Sequence, residues 1–349
     1  MLTRKNSSSL TVRESGPGML PANLNSPEDV IDIFIRNLPR RETTKKTYRY
    51  ALIQYMEYLH STGKTLDEIT EEDINDFKES LTRDGSRHSP LTVATYLAAV
   101  KKFYKWTESK KLYPNIAANV ERPTNKEYFI KQHLTAEECR ELFRYLRRPE
   151  GHKERKYNFN RTEEIRLRDY AMIYLMVWTG LRTIEVSRLD VGDITYRTSN
   201  NAKVRVLKVW GKGHDTKDSF VALVDDVYEP IREYLDTRPA VSPNEPLFVG
   251  EGHDTVGKRL TPRRIQQICK ECLRGIGLDD RAYSAHSLRH TTAVQILLNG
   301  GDMYDVFYAL RHVDPAVSQR YVKSVEQDER LRKSPQRYLR NAFVEDEED

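Results

Sequence analysis

The chain has few cysteines: three in 349 residues. That is too few for a disulfide framework, and a reducing compartment is their simplest home. No apolar run approaches the roughly 20 residues a membrane span needs. The opening Met1-Leu-Thr-Arg-Lys5 carries charge with no apolar block behind it, so a secretory leader is not expected. The excess of one sign of charge is also small, because 57 Lys and Arg face 52 Asp and Glu for a net +5. Such a mild excess suits nucleic acid without demanding it. No acidic cluster has the look of a two-metal site. The glycines around Lys212 lack the spacing of a Walker A loop. Cys269-Lys-Glu-Cys272 has no second pair nearby, and its helical spacing reads as core packing rather than zinc.

What is present divides in two. Residues 1–25, rich in Ser, Gly, Pro and Asn, read as a flexible leader. Residues 26–115 read as four or five helices. Ser26-Pro27-Glu28-Asp29 has the form of a helix start, and Thr43 to His60 is periodic up to Gly63. Thr70-Glu-Glu-Asp73 is a capping box, and Ser89 to Lys110 is a fourth helix. Pro114, Asn115, Asn119, Pro123 and Asn125 break the helical pattern and mark a linker over residues 116–133. Residues 134–325 begin with the cap Leu134-Thr135-Ala-Glu-Glu138 and continue through a charged surface excursion at 149–161. An apolar buried helix over Arg168 to Trp178 follows. Lys203 to Trp210 alternates as a strand, turns through Gly211 to Lys217 and returns over Asp218 to Leu223. Thr261-Pro262 then opens a helix that buries Ile265, Ile268, Cys269 and Cys272. The fold class is therefore mainly α with a small β-sheet. A charged tail, 326–349, ends in Glu-Asp-Glu-Glu-Asp349.

The chemistry-bearing residues lie in the second part. Arg182, in Thr-Gly-Leu-Arg, starts a helix, and Glu185 is placed to hold its guanidinium; the alternative is a structural ion pair. Lys212, flanked by glycines at a hairpin tip, is poised to give a proton to a leaving alkoxide or is simply solvated. His286-Ser-Leu-Arg289-His290, Arg311-His312 and Tyr321 supply imidazoles, guanidinium forks and a phenol. Those groups suit a phosphodiester: the fork binds its charged oxygens, imidazole manages protons, and a phenol attacks once it is deprotonated. With twenty tyrosines in the chain, Tyr321 could equally be core.

Taken together these motifs resemble the tyrosine recombinases of the phage integrase and Xer type, over about residues 26–325. The resemblance rests on Thr-Gly-Leu-Arg182 with Glu185, Gly-Lys212-Gly, His286-Ser-Leu-Arg289-His290, and the nine-residue step from His312 to Tyr321. One departure is Leu310-Arg311-His312, where the family usually has Leu-Gly-His; the arginine adds a DNA contact or reshapes the turn. The resemblance implies a helical SAM-like core-binding domain plus an α+β catalytic domain, closing on DNA as a C-shaped clamp. It implies Tyr321 as nucleophile forming a 3′-phosphotyrosyl link, Arg182 and Arg289 on the phosphate, and Lys212 as general acid. His286 and His312 would assist, with Glu185 and His290 in support and neither metal nor other cofactor required. Double-stranded DNA would be met by Lys45, Lys46, Thr92, Thr95, Lys101, Lys102, Arg263 and Arg264. The tail would pass between protomers of a tetramer on two duplexes, in the cytoplasm at the nucleoid. A non-cutting DNA-binding protein of the same fold and a type IB topoisomerase-like activity are the alternatives.

Overall fold

The computed structural model describes residues 27–64, 66, 68–82, 88–121, 123, 132–148, 163–199, 201–211, 216–238, 241–250, 252, 254–312, 315, 318–319, 321–322 and 325. The leader, the excursion at 149–161, Lys212 and the tail from 326 lie outside them. The chain forms two compact units, dividing between Tyr128 and Phe129.

In the first unit the described residues form α1 (Pro27–Asn37), α2 (Glu42–Thr62), α3 (Glu71–Ser80) and α4 (Pro90–Ser109). Local chemistry sets the ends. Gly63 stops α2 in a left-handed turn at φ 73°, where a side chain would be strained. Asp73 accepts from the Thr70 backbone N–H at 2.9 Å to cap α3, and Ser89 Oγ accepts from Thr92 N–H to cap α4. Ala51, Leu52, Tyr55 and Leu59 share one buried face of α2, while Tyr48 and Met56 pack at its edge. Tyr55 and Tyr104 are both buried, and their hydroxyls satisfy each other at 2.9 Å.

The second unit contains α5 (Ala136–Arg147), α6 (Glu163–Thr179), α7 (Thr183–Ser187), β1 (Ile194–Ser199), β2 (Ala202–Val209), β3 (Ser219–Ala222), α8 (Asp225–Asp236), α9 (Pro262–Gly275), α10 (Ala285–Leu298) and α11 (Met303–Leu310). The three strands form an antiparallel sheet in the order β1-β2-β3, with Ile194 opposite Leu207 and Val206 opposite Ala222. The sheet has one strand more than the alternation from Lys203 onward predicts. β1 escapes a pattern search because its last four residues are exposed on both faces.

α6 is buried nearly all round and packs against α5, α8 and α10. It carries one charged pair into the core: Arg168 Nη2 lies 2.7 Å from Asp169 Oδ1, and Arg168 Nη1 donates to the Val249 carbonyl. Trp178, expected inside with the rest of this apolar helix, is 47% exposed and stacks on Tyr174. α9 buries Ile265, Ile268, Cys269 and Cys272 together. Neither thiol is in a disulfide, and burial pushes the Cys269 thiol well up, so these cysteines behave as apolar packing groups. Among the described residues no helix is long and apolar enough to cross a membrane.

Candidate active site

α6 ends at Gly180, whose φ of +60° turns the chain sharply into α7. A β-carbon there would lie 2.3 Å from Leu310 Cδ2 and 3.4 Å from Thr292 Oγ1, so glycine is required on two counts. The turn delivers Arg182 to the N-cap of α7. Glu185, at the third position of that helix, accepts the Arg182 backbone N–H on Oε2 at 2.7 Å. The same carboxylate takes Arg182 Nη1 on Oε1 at 2.8 Å. One residue thus caps the helix and aims the guanidinium.

α10 crosses behind this turn. Thr292 Oγ1 donates to the Val177 carbonyl at 2.7 Å and stitches α10 to α6, while Thr291 Oγ1 accepts from Leu134 N–H. That fixes Arg289, which is 2% exposed. Its Nη1 and Nη2 donate to the carbonyls of Gly180 and Leu310, each at 2.5 Å. Burial lowers its pKa to about 9, with the neighbouring Arg182 and Arg311 cations pushing the same way and Glu185 and Tyr321 opposing. Among the described residues its hydrogen-bond partners are neutral carbonyls, so the buried cation still favours an incoming anion.

α11 closes the site. Asp302 caps its start, and it ends at Arg311 in the left-handed region, φ 52° and ψ 50°. Arg311 Nη2 reaches Glu185 Oε2 at 3.2 Å, so Glu185 serves two arginines. Burial lowers the Arg311 pKa, Glu185 opposes, and Arg182 adds to the lowering. His312 follows, buried, with Nδ1 2.7 Å from Ser318 Oγ. Tyr321 is 8% exposed, its ring parallel to His312 at 5.9 Å between centroids and 4.8 Å from the ring of His290. His290 in turn meets His133 edge-on.

Arg182, Glu185, Arg289, His290, His312 and Tyr321 therefore gather in one place. His286, one turn before Arg289 on α10, is exposed at the helix start. Lys212 is outside the described residues, although β2 and β3, which bracket it, are within them. Two participants escape the motif search: Ser318, the partner of His312, and Arg311 as the second cation on Glu185. The arginine replacing an expected glycine signals the second; nothing in the local sequence signals the first.

The expected DNA-contact residues behave differently from one another. Lys46, Lys102, Arg263 and Arg264 are exposed on α2, α4 and α9. Arg264 lies 3.3 Å from Glu271, and Lys45 lies 3.2 Å from Glu42. Thr95 donates to the Leu91 carbonyl, and Thr92 shares a hydroxyl contact with Ser89. Lys101 donates to the Val120 carbonyl at 2.9 Å, which holds it to its own unit. Among the described residues no group of three or more His, Cys, Asp or Glu side chains is placed to hold a metal ion.

Comparison with known proteins gives a consistent picture. Residues 132–328 match the phage integrase family, and residues 32–113 match the phage integrase N-terminal SAM-like domain. A tyrosine recombinase XerC of Roseiflexus castenholzii is 28% identical over 305 residues, covering 83% of this chain and 87% of that protein. A tyrosine recombinase XerC of Corynebacterium glutamicum is 34% identical over 160 residues, spanning 46% of this chain and 47% of that protein. Among solved structures, the XerH site-specific recombinase bound to palindromic difH in a post-cleavage complex aligns with a TM-score of 0.67. That alignment has 20% identity and covers 89% of this chain and 85% of that one. The Tn1549 transposon integrase bound to circular-intermediate DNA aligns with a TM-score of 0.62 and 13% identity, over 84% of this chain and 94% of that one. These likenesses show a shared fold.

Proposed function

This chain belongs to the phage integrase family, and from that premise we propose that it is a site-specific DNA recombinase that cuts and rejoins strands through Tyr321. In the cleavage step the Tyr321 phenol loses its proton and its oxygen bonds to the scissile phosphorus. The bond from phosphorus to the 5′-oxygen breaks, and that oxygen leaves with a proton as a 5′-hydroxyl. The DNA is left joined to the protein by a 3′-phosphotyrosyl link. Rejoining is the same exchange in reverse, so the energy of the phosphodiester stays in the covalent link and no ATP is consumed.

Arg182 and Arg289 grip the non-bridging oxygens. Their charge-assisted forks strengthen as negative charge builds in the transition state, and losing one such contact costs about 10²–10³ in rate. Glu185 holds Arg182 in position. His312, fixed by Ser318, sits flat beside the Tyr321 ring and serves proton movement there, with His290 packed on the same ring. His286 contributes from the exposed mouth, and Lys212 is the residue we assign to protonate the 5′-oxygen. No step in this scheme calls on a metal or cofactor.

The observation that carries the reading is the seat of Tyr321: a phenol packed against two imidazoles, beside a buried arginine whose hydrogen-bond partners among the described residues are neutral carbonyls. We assign residues 26–115 to core DNA binding and 134–325 to catalysis, with Lys46, Lys102 and Arg263 as backbone phosphate contacts. On two duplexes the protein would act as a tetramer, its tail exchanged between protomers, and its place in the cell would be the cytoplasm at the nucleoid.

The test is covalent trapping on a nicked duplex carrying the site that the full chain selects from a random-sequence pool, with chelator present. Wild type should give a protein–DNA adduct that survives denaturant, and Tyr321→Phe should give none. Specific binding with no adduct would instead mark a non-cutting DNA-binding protein. An adduct that persists in Tyr321→Phe would place the nucleophile elsewhere.

A further inference from the structure

Arg311 stands in a backbone conformation that glycine enters freely and other residues enter only against strain. Such a residue persists where its surroundings over-determine it, and here the surroundings are the active site. The Arg311 side chain is 12% exposed. Nη1 donates to the Ala309 carbonyl at 2.8 Å and to the Thr179 carbonyl at 3.4 Å, while Nη2 faces Glu185 at 3.2 Å. Nε is buried with no acceptor among the described residues. A guanidinium so enclosed does not reach out to solvent or to a distant groove; it acts on Glu185.

The charges of the cluster give that contact a meaning. Without Arg311, the Glu185 carboxylate would offset Arg182, and Arg289 would be the one uncompensated guanidinium among the described residues of this cluster. With it, three guanidinium groups among the described residues face one carboxylate, a net formal charge of +2 for that group of four. A phosphodiester brings one negative charge. Once a phenolate oxygen has added to phosphorus, the five-coordinate group carries two, and only interactions that strengthen on that path speed the reaction. We propose that Arg311 is a charge-setting positioning residue of the phosphate pocket, engaging Glu185 so that Arg182 and Arg289 meet the doubly charged transition state uncompensated. The inference rests on the cleavage reading given above.

The variant Arg311→Gly suits the test, because glycine adopts the left-handed conformation of this turn without strain. Arg311→Lys keeps the charge without the fork. Each is compared with wild type in single-turnover adduct formation on two duplexes of the selected site. One carries an ordinary scissile phosphodiester and the other a neutral methylphosphonate at that position. On the phosphodiester, Arg311→Gly should be slower by about 10-fold and at most about 10²-fold, the low end of the cost of losing a direct contact, with Arg311→Lys in between. On the methylphosphonate, which carries one negative charge fewer throughout, the deficit should shrink to about threefold or less. Equal rates for Arg311→Gly and wild type on the phosphodiester would overturn the proposal. So would an equal deficit on both substrates, which marks a merely structural residue. If wild type forms no adduct on a duplex it binds specifically, the cleavage reading itself fails, and the charge-setting role fails with it.

Discussion

Replacing Gly180 by alanine tests how tightly the turn after α6 is bound to the active site. Two separable costs arise. The left-handed backbone at φ +60° penalises any β-carbon by about 1–2 kcal/mol. The added methyl would also sit 2.3 Å from Leu310 Cδ2, a fully buried side chain, and such overpacking costs about 1–3 kcal/mol. The sum is about 2–5 kcal/mol, a large share of the stability of an ordinary domain but short of all of it. Urea unfolding of the full chain, followed by tryptophan fluorescence in a Trp106→Phe background, reports the second unit through Trp178 and Trp210. The two costs separate in a double-mutant cycle. Leu310→Ala removes the obstacle, so Gly180→Ala should cost about 1–3 kcal/mol less in that background, while the backbone cost remains. Because the Gly180 carbonyl holds Arg289, single-turnover cleavage should fall as well, even under conditions where the variant is fully folded. A Gly180→Ala protein within about 0.5 kcal/mol of wild type would refute this account of the turn.

Two further outcomes follow from charged pairs outside the site. Asp169→Asn leaves Arg168 as a buried cation without its carboxylate and should destabilise the second unit by about 3–5 kcal/mol in urea; a loss near zero would mean that water reaches the pair. Burial alone would raise the Asp190 pKa, but hydrogen bonds from Lys217 and Arg259 outweigh it and hold the carboxyl below its usual range. The stabilisation it contributes is therefore present above pH about 4, the unfolded value, and is lost as the pH falls through the lower folded value. Lys217→Met should flatten the acid limb of the stability curve, and parallel curves for the two proteins would show that the pair contributes nothing there.

Much of the framework is legible in the sequence because it is set locally. The caps at Thr70, Ser89 and Thr135 and the buried face of α9 involve partners three or four residues apart, within reach of a pattern search. β1 is not legible in this way, since exposed strands carry no alternation to find. Trp178 misleads for the opposite reason: it belongs to an apolar helix, yet its side of the last turn is left uncovered. The residues of the candidate site are legible as types in order, while their couplings are not. Arg311 and Glu185 are 126 residues apart, and Arg289 and Gly180 are 109 apart. Only the folded chain brings such pairs together.

The seat of Arg289 has a thermal consequence. Its two carbonyl partners come from helix ends, just past α6 and at the close of α11, where helices leave acceptors unfilled. An arginine waving on a surface surrenders about 2 kcal/mol of rotational freedom when it grips a phosphate. Arg289 is already immobile, so that disorder is lost once, when the second unit folds, and not again at each encounter with an anion. If Arg289 meets a phosphate, its own side chain should therefore add little to the entropy cost of binding until the second unit melts.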